Sequence, residues 1–159
     1  MIKVGLGYDL HRLVKGRPLL LGGIELPFEK GEDGHSDGDV LFHAITDAIL
    51  GASGLGDIGS FFPPEEANWE DADSGMLLRQ VLKEVYAHGW KIENIDCVIK
   101  LEKPKFIPFR KTVISNIAHT IGINDDQVFV KAKTGEKIPP VGTSDAVEAI
   151  ATCLLSRAS

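Results

Sequence analysis

Several things are scarce in this chain, and each shortage excludes a class of protein. There are two cysteines in 159 residues, Cys97 and Cys153, far apart and each on an apolar phase of its segment. That excludes a disulfide framework or a zinc knuckle and points to reduced, buried thiols in a cytosol-like compartment. No apolar run approaches the length of a bilayer span, so no membrane partner is expected. The opening "MIKVGLGYD" enters structure with no charged and apolar leader, so no targeting segment is expected. Positive charge is also short: 17 Lys+Arg against 23 Asp+Glu leave a net charge of -6. A nucleic-acid binder shows a basic face, so nucleic acid is not an expected partner. Repeats, low-complexity tracts and linkers are missing, and residues 1–159 read as one domain with 43% apolar and 25% charged residues.

The order of elements follows from periodicity and from glycine. Ile2 to Leu6 reads as a short strand, and "LLLGGIEL" sets two apolar runs around Gly22-Gly23, a hairpin signal. Val40, Leu41, Ala44, Ile45, Ala48 and Ile49 recur at helical spacing, with Gly51 and Gly54 as stops. "GDIGSFFPP" has turn chemistry and is not regular throughout. A second helix is expected from about Ser74 to Gly89, a strand at "IDCVIKL", a third helix closed by Gly122, and a strand at "QVFVKAK". Asp145 and Glu148 read as the capping box of a last helix. The expected class is α+β: a mixed four-stranded sheet with helices packed on one face, plus a small β-hairpin.

Chemistry concentrates at three places. In "GYDLHRL", Asp9 and His11 are two positions apart on extended backbone, so both side chains leave one face. Such a pair is either half of a metal site or an ordinary surface pair. His43 sits inside the first helix with Asp39 and Asp47 at i-4 and i+4 on the same helical face. That stripe is either solvated, or His43 is a metal ligand whose second ring nitrogen is held by a carboxylate. Together, Asp9, His11 and His43 are a ligand set that suits zinc and leaves one tetrahedral position open, the layout of a catalytic centre. His88 and His119 lie near helix C-termini, where histidine commonly complements the helix dipole. "HSDGD" places His35 and Ser36 before a helix N-terminus, a position favourable for an anion, although Ser36 or Asp37 could equally be an N-cap. In "KAKTGEK", Lys131 and Lys133 share a strand face. Thr134, Gly135 and the lysines could hold a phosphate and Glu136 a hard cation, or the segment is simply a charged strand end.

These stretches, together with "HSDGDVLFHAITDAILGASGLGDIGSFFP" and "KPK", resemble in order and spacing the motifs of the 2-C-methyl-D-erythritol 2,4-cyclodiphosphate synthase family, over essentially the whole chain. The resemblance implies a homotrimer with active sites between subunits. Each site would carry one Zn²⁺ and, with substrate bound, Mg²⁺ or Mn²⁺. It implies cyclisation of 4-diphosphocytidyl-2-C-methyl-D-erythritol 2-phosphate with release of CMP, a phosphorus–oxygen lyase reaction of non-mevalonate isoprenoid synthesis. By position, Asp9, His11 and His43 would hold zinc, with Asp9 and His11 also facing substrate. His35 and Ser36 would contact phosphates and diol. Asp57, Ile58, Gly59 and Phe62 would surround the methylerythritol. Leu101, Lys103, Pro104, Lys105 and Ile107 would form the cytidine pocket. Lys133, Thr134 and Gly135 would bind phosphate, and Glu136 the second metal; His35 and Thr134 would be catalytic.

The chain departs from the family pattern at Lys133, where many members have threonine, and at "PEE" after Pro63, in place of an acid-rich run. Pro140 stands for an aromatic residue, and Thr143 for an arginine that faces the trimer channel and can meet an isoprenoid diphosphate there. Such a ligand is therefore not expected to bind here in the usual way. No Ser-His-Asp or Cys-His arrangement is visible, and this reaction needs none, because the substrate's 2-phosphate is its own nucleophile. The rival readings are a zinc phosphohydrolase and a non-catalytic trimer that binds nucleotide or isoprenoid phosphate. The expected compartment is bacterial cytoplasm, with a processed plastid protein as the alternative.

Overall fold

The computed structural model describes residues 1–63, 65 and 69–159. Its sheet has five strands in the order β4-β1-β7-β5-β6, and a separate hairpin pairs β2 with β3. The strands are β1 (Ile2–Lys15), β2 (Leu19–Leu21), β3 (Ile24–Leu26), β4 (Lys30–Glu32), β5 (Lys91–Lys100), β6 (Val128–Lys133) and β7 (Ala146–Ser156). Helices α1 (Val40–Ser53), the single-turn α2 (Ile58–Phe61), α3 (Ser74–Ala87) and α4 (Arg110–Ile121) complete the layers. β5 and β6 run parallel, whereas β1 pairs antiparallel with both β7 and β4, so the sheet is mixed.

The α+β class, the hairpin at Gly22-Gly23 and the helices over one face agree with the sequence. The last element does not. Residues 146–156 form the central strand and not a helix, which raises the strand count from four to five. Along β7, Val147, Ala149, Ala151, Cys153 and Leu155 are buried under the helices, and Glu148, Ile150, Thr152 and Leu154 are half-buried on the other side. A strand hydrogen-bonded on both edges and apolar on both faces carries no clear period, so it passes for a helix. Asp145 caps nothing; its carboxylate takes the Thr143 hydroxyl at 2.6 Å and lies 3.5 Å from Lys30. β1 is likewise longer than the strand expected over Ile2 to Leu6: Asp9 and His11 lie mid-strand, opposite Ala149 and Val147.

α1 starts on Asp39, whose carboxylate accepts from the backbone of Phe42, and ends at Gly54 in the left-handed region (φ 73°). It lies against β1 at Gly5 and Gly7. A Cβ on either would come within 1.8 Å of a helix carbonyl, Ala48 O or Ala44 O respectively. Glycine on the strand and alanine on the helix thus allow backbone-to-backbone packing. Both cysteines are buried and unbridged, as the sequence suggested.

Candidate metal centre and substrate pockets

Close approach of α1 to β1 creates the site. Four helical residues rise about as far as two strand residues, so the contacts Gly5–Ala48 and Gly7–Ala44 continue one step further to Asp9 and His11 opposite the first turns of α1. There His43 meets them. Asp9 Oδ2 lies 2.8 Å from His11 Nε2 and 2.9 Å from His43 Nδ1. The two ring nitrogens are 3.3 Å apart, the edge length of a tetrahedron with bonds of roughly 2.0–2.1 Å. One oxygen and two nitrogens lie within 4.8 Å of one another, a donor set consistent with a metal.

Asp33 fixes the tautomer of His11. Its carbonyl oxygen can only accept, so His11 Nδ1 donates to it at 2.7 Å and Nε2 faces the cluster. In the metal-free chain, burial works to raise the Asp9 pKa, but hydrogen bonds from His11 and His43 outweigh it and hold the carboxyl at about 2. Burial likewise works against the His11 charge. The bonds to Asp9 and to the Asp33 carbonyl reverse that and raise His11 to about 9. A divalent cation bound at this point would compete with the proton that Asp9 holds on His11.

The helical stripe does not supply the partner expected for His43. Asp39 is fully buried and turns to the hairpin, accepting from Gly22 N at 3.0 Å and Gly23 N at 2.6 Å. Burial pushes its carboxyl up to about 6. Asp47 accepts from Ile58 N at 2.8 Å and so ties α1 to α2. His43 Nε2 instead meets two hydroxyls, Ser74 Oγ at 2.9 Å and Ser36 Oγ at 3.1 Å. Ser74, at the start of α3, has no sequence-spacing relation to His43 and was not a sequence candidate.

A cavity of about 270 Å³ opens beside these groups, lined by His11, Gly34, His35, Ser36, His43, Ile58, Phe62, Trp69 and Leu77. His35, Ser36, Ile58 and Phe62 were sequence candidates. Trp69 and Leu77 were not: one belongs to no periodic run of the sequence and the other reads as ordinary helix core. The rings of Phe62 and Trp69 meet edge to face at 4.8 Å, forming an apolar wall opposite the imidazoles. Asp57 caps α2, accepting from Ser60 N at 2.8 Å, and this bond lowers its pKa. Gly59 lies in that same turn. Of the "PEE" segment, Pro64 and Glu66 lie outside the described residues.

The remaining candidates gather elsewhere. Leu101, Pro104, Lys105, Ile107, Lys133 and Thr134 line a cavity of about 500 Å³ together with Glu102, Phe106, Pro108 and Ala132. Lys103 is exposed beside it and is not in its wall. The loops are joined by Leu101 N to Lys133 O and by Gly135 N to Glu102 Oε2, both 2.9 Å. Thr134 also borders a third cavity of about 300 Å³ with Gly135, Glu136 and Pro140. Glu136 Oε1 lies 3.3 Å from Thr134 Oγ1, and Glu136 adopts a left-handed φ of 52°. Lys131 faces the same side as Lys133 but is paired with Asp96. Thr143 donates its hydroxyl to Asp145 Oδ2 at 2.6 Å, with Pro140 O 3.1 Å away.

One chain does not bring the two groups together. Asp9, Ala149, Ile99 and Ala132 are register neighbours straight across the sheet. Three strand spacings put Asp9 roughly 14 Å from the β6 position next to Lys133. Among the described residues, none lines both the cavity at His43 and the one at Lys105.

Comparison with known proteins matches this architecture. The YgbB family pattern covers residues 2–156. A 2-C-methyl-D-erythritol 2,4-cyclodiphosphate synthase of Treponema denticola is 56% identical over 154 residues, 97% of this chain and 96% of that protein. Among solved structures, the bifunctional IspDF of Campylobacter jejuni is 38% identical with a TM-score of 0.95 over 100% of this chain, which spans 43% of that protein. A CDP-bound 2C-methyl-D-erythritol-2,4-cyclodiphosphate synthase is 38% identical with a TM-score of 0.89, covering 97% of this chain and 100% of that one. The chain belongs to the YgbB family, that of the 2-C-methyl-D-erythritol 2,4-cyclodiphosphate synthases.

Proposed function

We infer that this chain, acting as one domain over residues 1–159, converts 4-diphosphocytidyl-2-C-methyl-D-erythritol 2-phosphate to 2-C-methyl-D-erythritol 2,4-cyclodiphosphate and CMP. The observation that carries the reading is the convergence of Asp9, His11 and His43 beside the His35–Ser36 cavity, in a chain 56% identical to a named synthase. The substrate's 2-phosphate is ionised near neutral pH and needs no protein base. The barrier lies in bringing two anionic groups together and in charge that builds on the leaving oxygen.

The zinc ion that Asp9, His11 and His43 would hold, and the Mg²⁺ or Mn²⁺ that Glu136 would hold, supply positive charge at the phosphate oxygens. His35 and Ser36 grip the phosphates and the diol. Asp57, Ile58, Gly59 and Phe62, with Trp69 and Leu77, curl the methylerythritol so that its phosphate faces the diphosphate. Positioning of this kind is worth roughly 7–11 kcal/mol in intramolecular reactions. Thr134 donates its hydroxyl to the transferring phosphoryl group, and Gly135 and Lys133 hold the neighbouring oxygens. Leu101, Lys103, Pro104, Lys105 and Ile107 enclose the cytidine; a relative solved with CDP supports a cytidine nucleotide as the ligand. Lys103, Lys105 and Lys133 form no ion pair among the described residues, which leaves their charge for the anion.

The separation of the two groups within one chain supports an active site completed by a second copy, in a homotrimer. Ile2, Val4, Leu6, Tyr8 and Leu10 form an apolar stripe on the helix-free face of β1, each 46–71% exposed. A stripe of that length is suited to burial against other copies. No helix among the described residues is long and apolar enough to cross a membrane. Buried free thiols suit a reducing cytoplasm.

The test is phosphorus NMR of purified protein with Mg²⁺ and the diphosphocytidyl substrate. Two cyclic-diphosphate resonances together with CMP support the reading. A linear phosphate product would make the chain a phosphohydrolase, and binding without turnover a silent nucleotide binder.

A further inference from the structure

The hydroxyls behind His43 decide which of its ring nitrogens carries a proton. A hydroxyl donates once and can accept as well, so the direction of the Ser74–His43 contact depends on where the Ser74 proton goes. It goes to Asp37. Ser74 Oγ donates to Asp37 Oδ1 in a short contact. The same carboxylate accepts from Asp39 N at Oδ1 and from Ser74 N at Oδ2, each at 3.0 Å. Surrounded by N–H donors, it acts as acceptor, and Ser74 Oγ can offer His43 only a lone pair. Ser36 Oγ, already accepting from Gly38 N at 3.2 Å, lies farther from the ring, at 3.1 Å against 2.9 Å. His43 Nε2 is therefore the nitrogen that keeps its proton and donates to Ser74. Nδ1, which faces Asp9 Oδ2 and His11 Nε2, is then the nitrogen whose lone pair is turned to the cluster.

We propose that Asp37 and Ser74 are positioning residues that fix the protonation and ring orientation of His43 for metal binding, through a carboxylate–hydroxyl–imidazole relay. The relay rests on the assignment of Asp9, His11 and His43 as a metal centre. Its placement is rigid: Ser74 is 1% exposed and opens α3, whose N-cap is the preceding Asp73. On the side away from Asp9, His43 meets two hydroxyls, those of Ser74 and Ser36, whereas His11 meets a single carbonyl, that of Asp33. A carboxylate behind a metal-bound histidine commonly orients it directly; here a serine stands between them.

The experiment measures Zn²⁺ affinity by competition with a chromophoric chelator, and the visible spectrum of the Co²⁺-substituted chain. Ser74→Ala is expected to weaken Zn²⁺ binding about 10–100-fold and to alter the Co²⁺ bands, with Ser74→Thr returning both towards the parent. Asp37→Ala, which removes the acceptor of the Ser74 proton and leaves that hydroxyl free to turn towards Nε2, is expected to weaken binding similarly. Circular dichroism of each metal-free variant reports folding. If Ser74→Ala does not fold, slow solvent exchange of the His43 Nε2–H, read by nitrogen-correlated NMR of the Zn²⁺-loaded parent, supports the relay, and fast exchange overturns it. Unchanged affinity and spectrum in Ser74→Ala overturn it too, as does a loss that threonine does not restore. His43→Ala separates the two readings: if it binds Zn²⁺ as the parent does, the metal centre itself is wrong. If it loses Zn²⁺ while Ser74→Ala keeps it, only the relay fails.

Discussion

The two halves of the candidate site are built by opposite means. The metal corner uses the interior of a strand and of a helix, where His11 and His43 side chains are 15% and 14% exposed and glycine lets two backbones touch. The nucleotide shelf uses the loops that leave the ends of β5 and β6, with Lys105 exposed, Ile107 71% exposed and Glu136 in a left-handed turn. The corner is complete within one chain and intolerant of added volume. The shelf is exposed and lies on loops. On the proposed function, metal binding at the corner would be coupled to folding, whereas substitutions at the shelf would change substrate affinity with little effect on stability.

The sharpest break of that contrast is Gly7→Val. Its Cβ would lie 1.8 Å from Ala44 O, so α1 must move away from Asp9 and His11. A loss of about 3 kcal/mol or more is expected, with Zn²⁺ stoichiometry near zero, measured by urea unfolding and metal analysis. Gly51, whose Cβ would meet nothing within 4 Å, is the control on the same layer: Gly51→Ala is expected to stabilise by about 0.5–1 kcal/mol.

Mixing inactive chains tests whether the halves belong to different copies. His43→Ala and Glu136→Ala are each expected to be inactive alone. Unfolded and refolded together in equal amounts, they should regain roughly a quarter of parental activity, because a site drawing one half from each neighbour is sometimes intact. A mixture that stays inactive would put both halves in one subunit. At the shelf alone, Lys133→Ala is expected to raise KM about tenfold and to shift stability by less than about 0.5 kcal/mol, read by steady-state kinetics and thermal melting.

A pH-dependent effect concerns Glu32, which is fully buried with Oε1 unpartnered, while Oε2 accepts from Leu20 N at 2.9 Å. Burial raises its pKa from 4.5 to about 9. Between these values the folded chain keeps a proton that the unfolded chain has lost, so stability falls as pH rises through that window. Glu32→Gln does not titrate. Relative to the parent it should gain stability from pH 5 to pH 8, measured by denaturant unfolding at both pH values.

The same contrast explains what the sequence made legible. α1 and α4 carry apolar residues at helical spacing and end at Gly54 and Gly122, both at left-handed φ, so composition and stops agree. β7 has apolar side chains on both phases because it is central, and its neighbours in space, β1 and β5, are far away in sequence. β1 hides its length because glycines occupy its inner face and an apolar stripe its outer one, an arrangement that makes sense only once α1 and a covering surface are in place. Asp9, His11 and His43 could be singled out by residue type and spacing. Ser74, 31 residues from His43, could not, because a hydroxyl at a helix start is ordinary until the fold sets it against an imidazole.

The central claim is that a strand and a helix of this chain grip one cation. Anomalous scattering at the zinc edge, from crystals of the purified protein grown with Zn²⁺, tests it most directly. The account predicts a single strong peak per chain, bonded to Asp9 Oδ2, His11 Nε2 and His43 Nδ1 at about 2.0–2.2 Å with a fourth position facing the His35–Ser36 cavity. A map with no peak between these three side chains, or with zinc held only elsewhere, would contradict it.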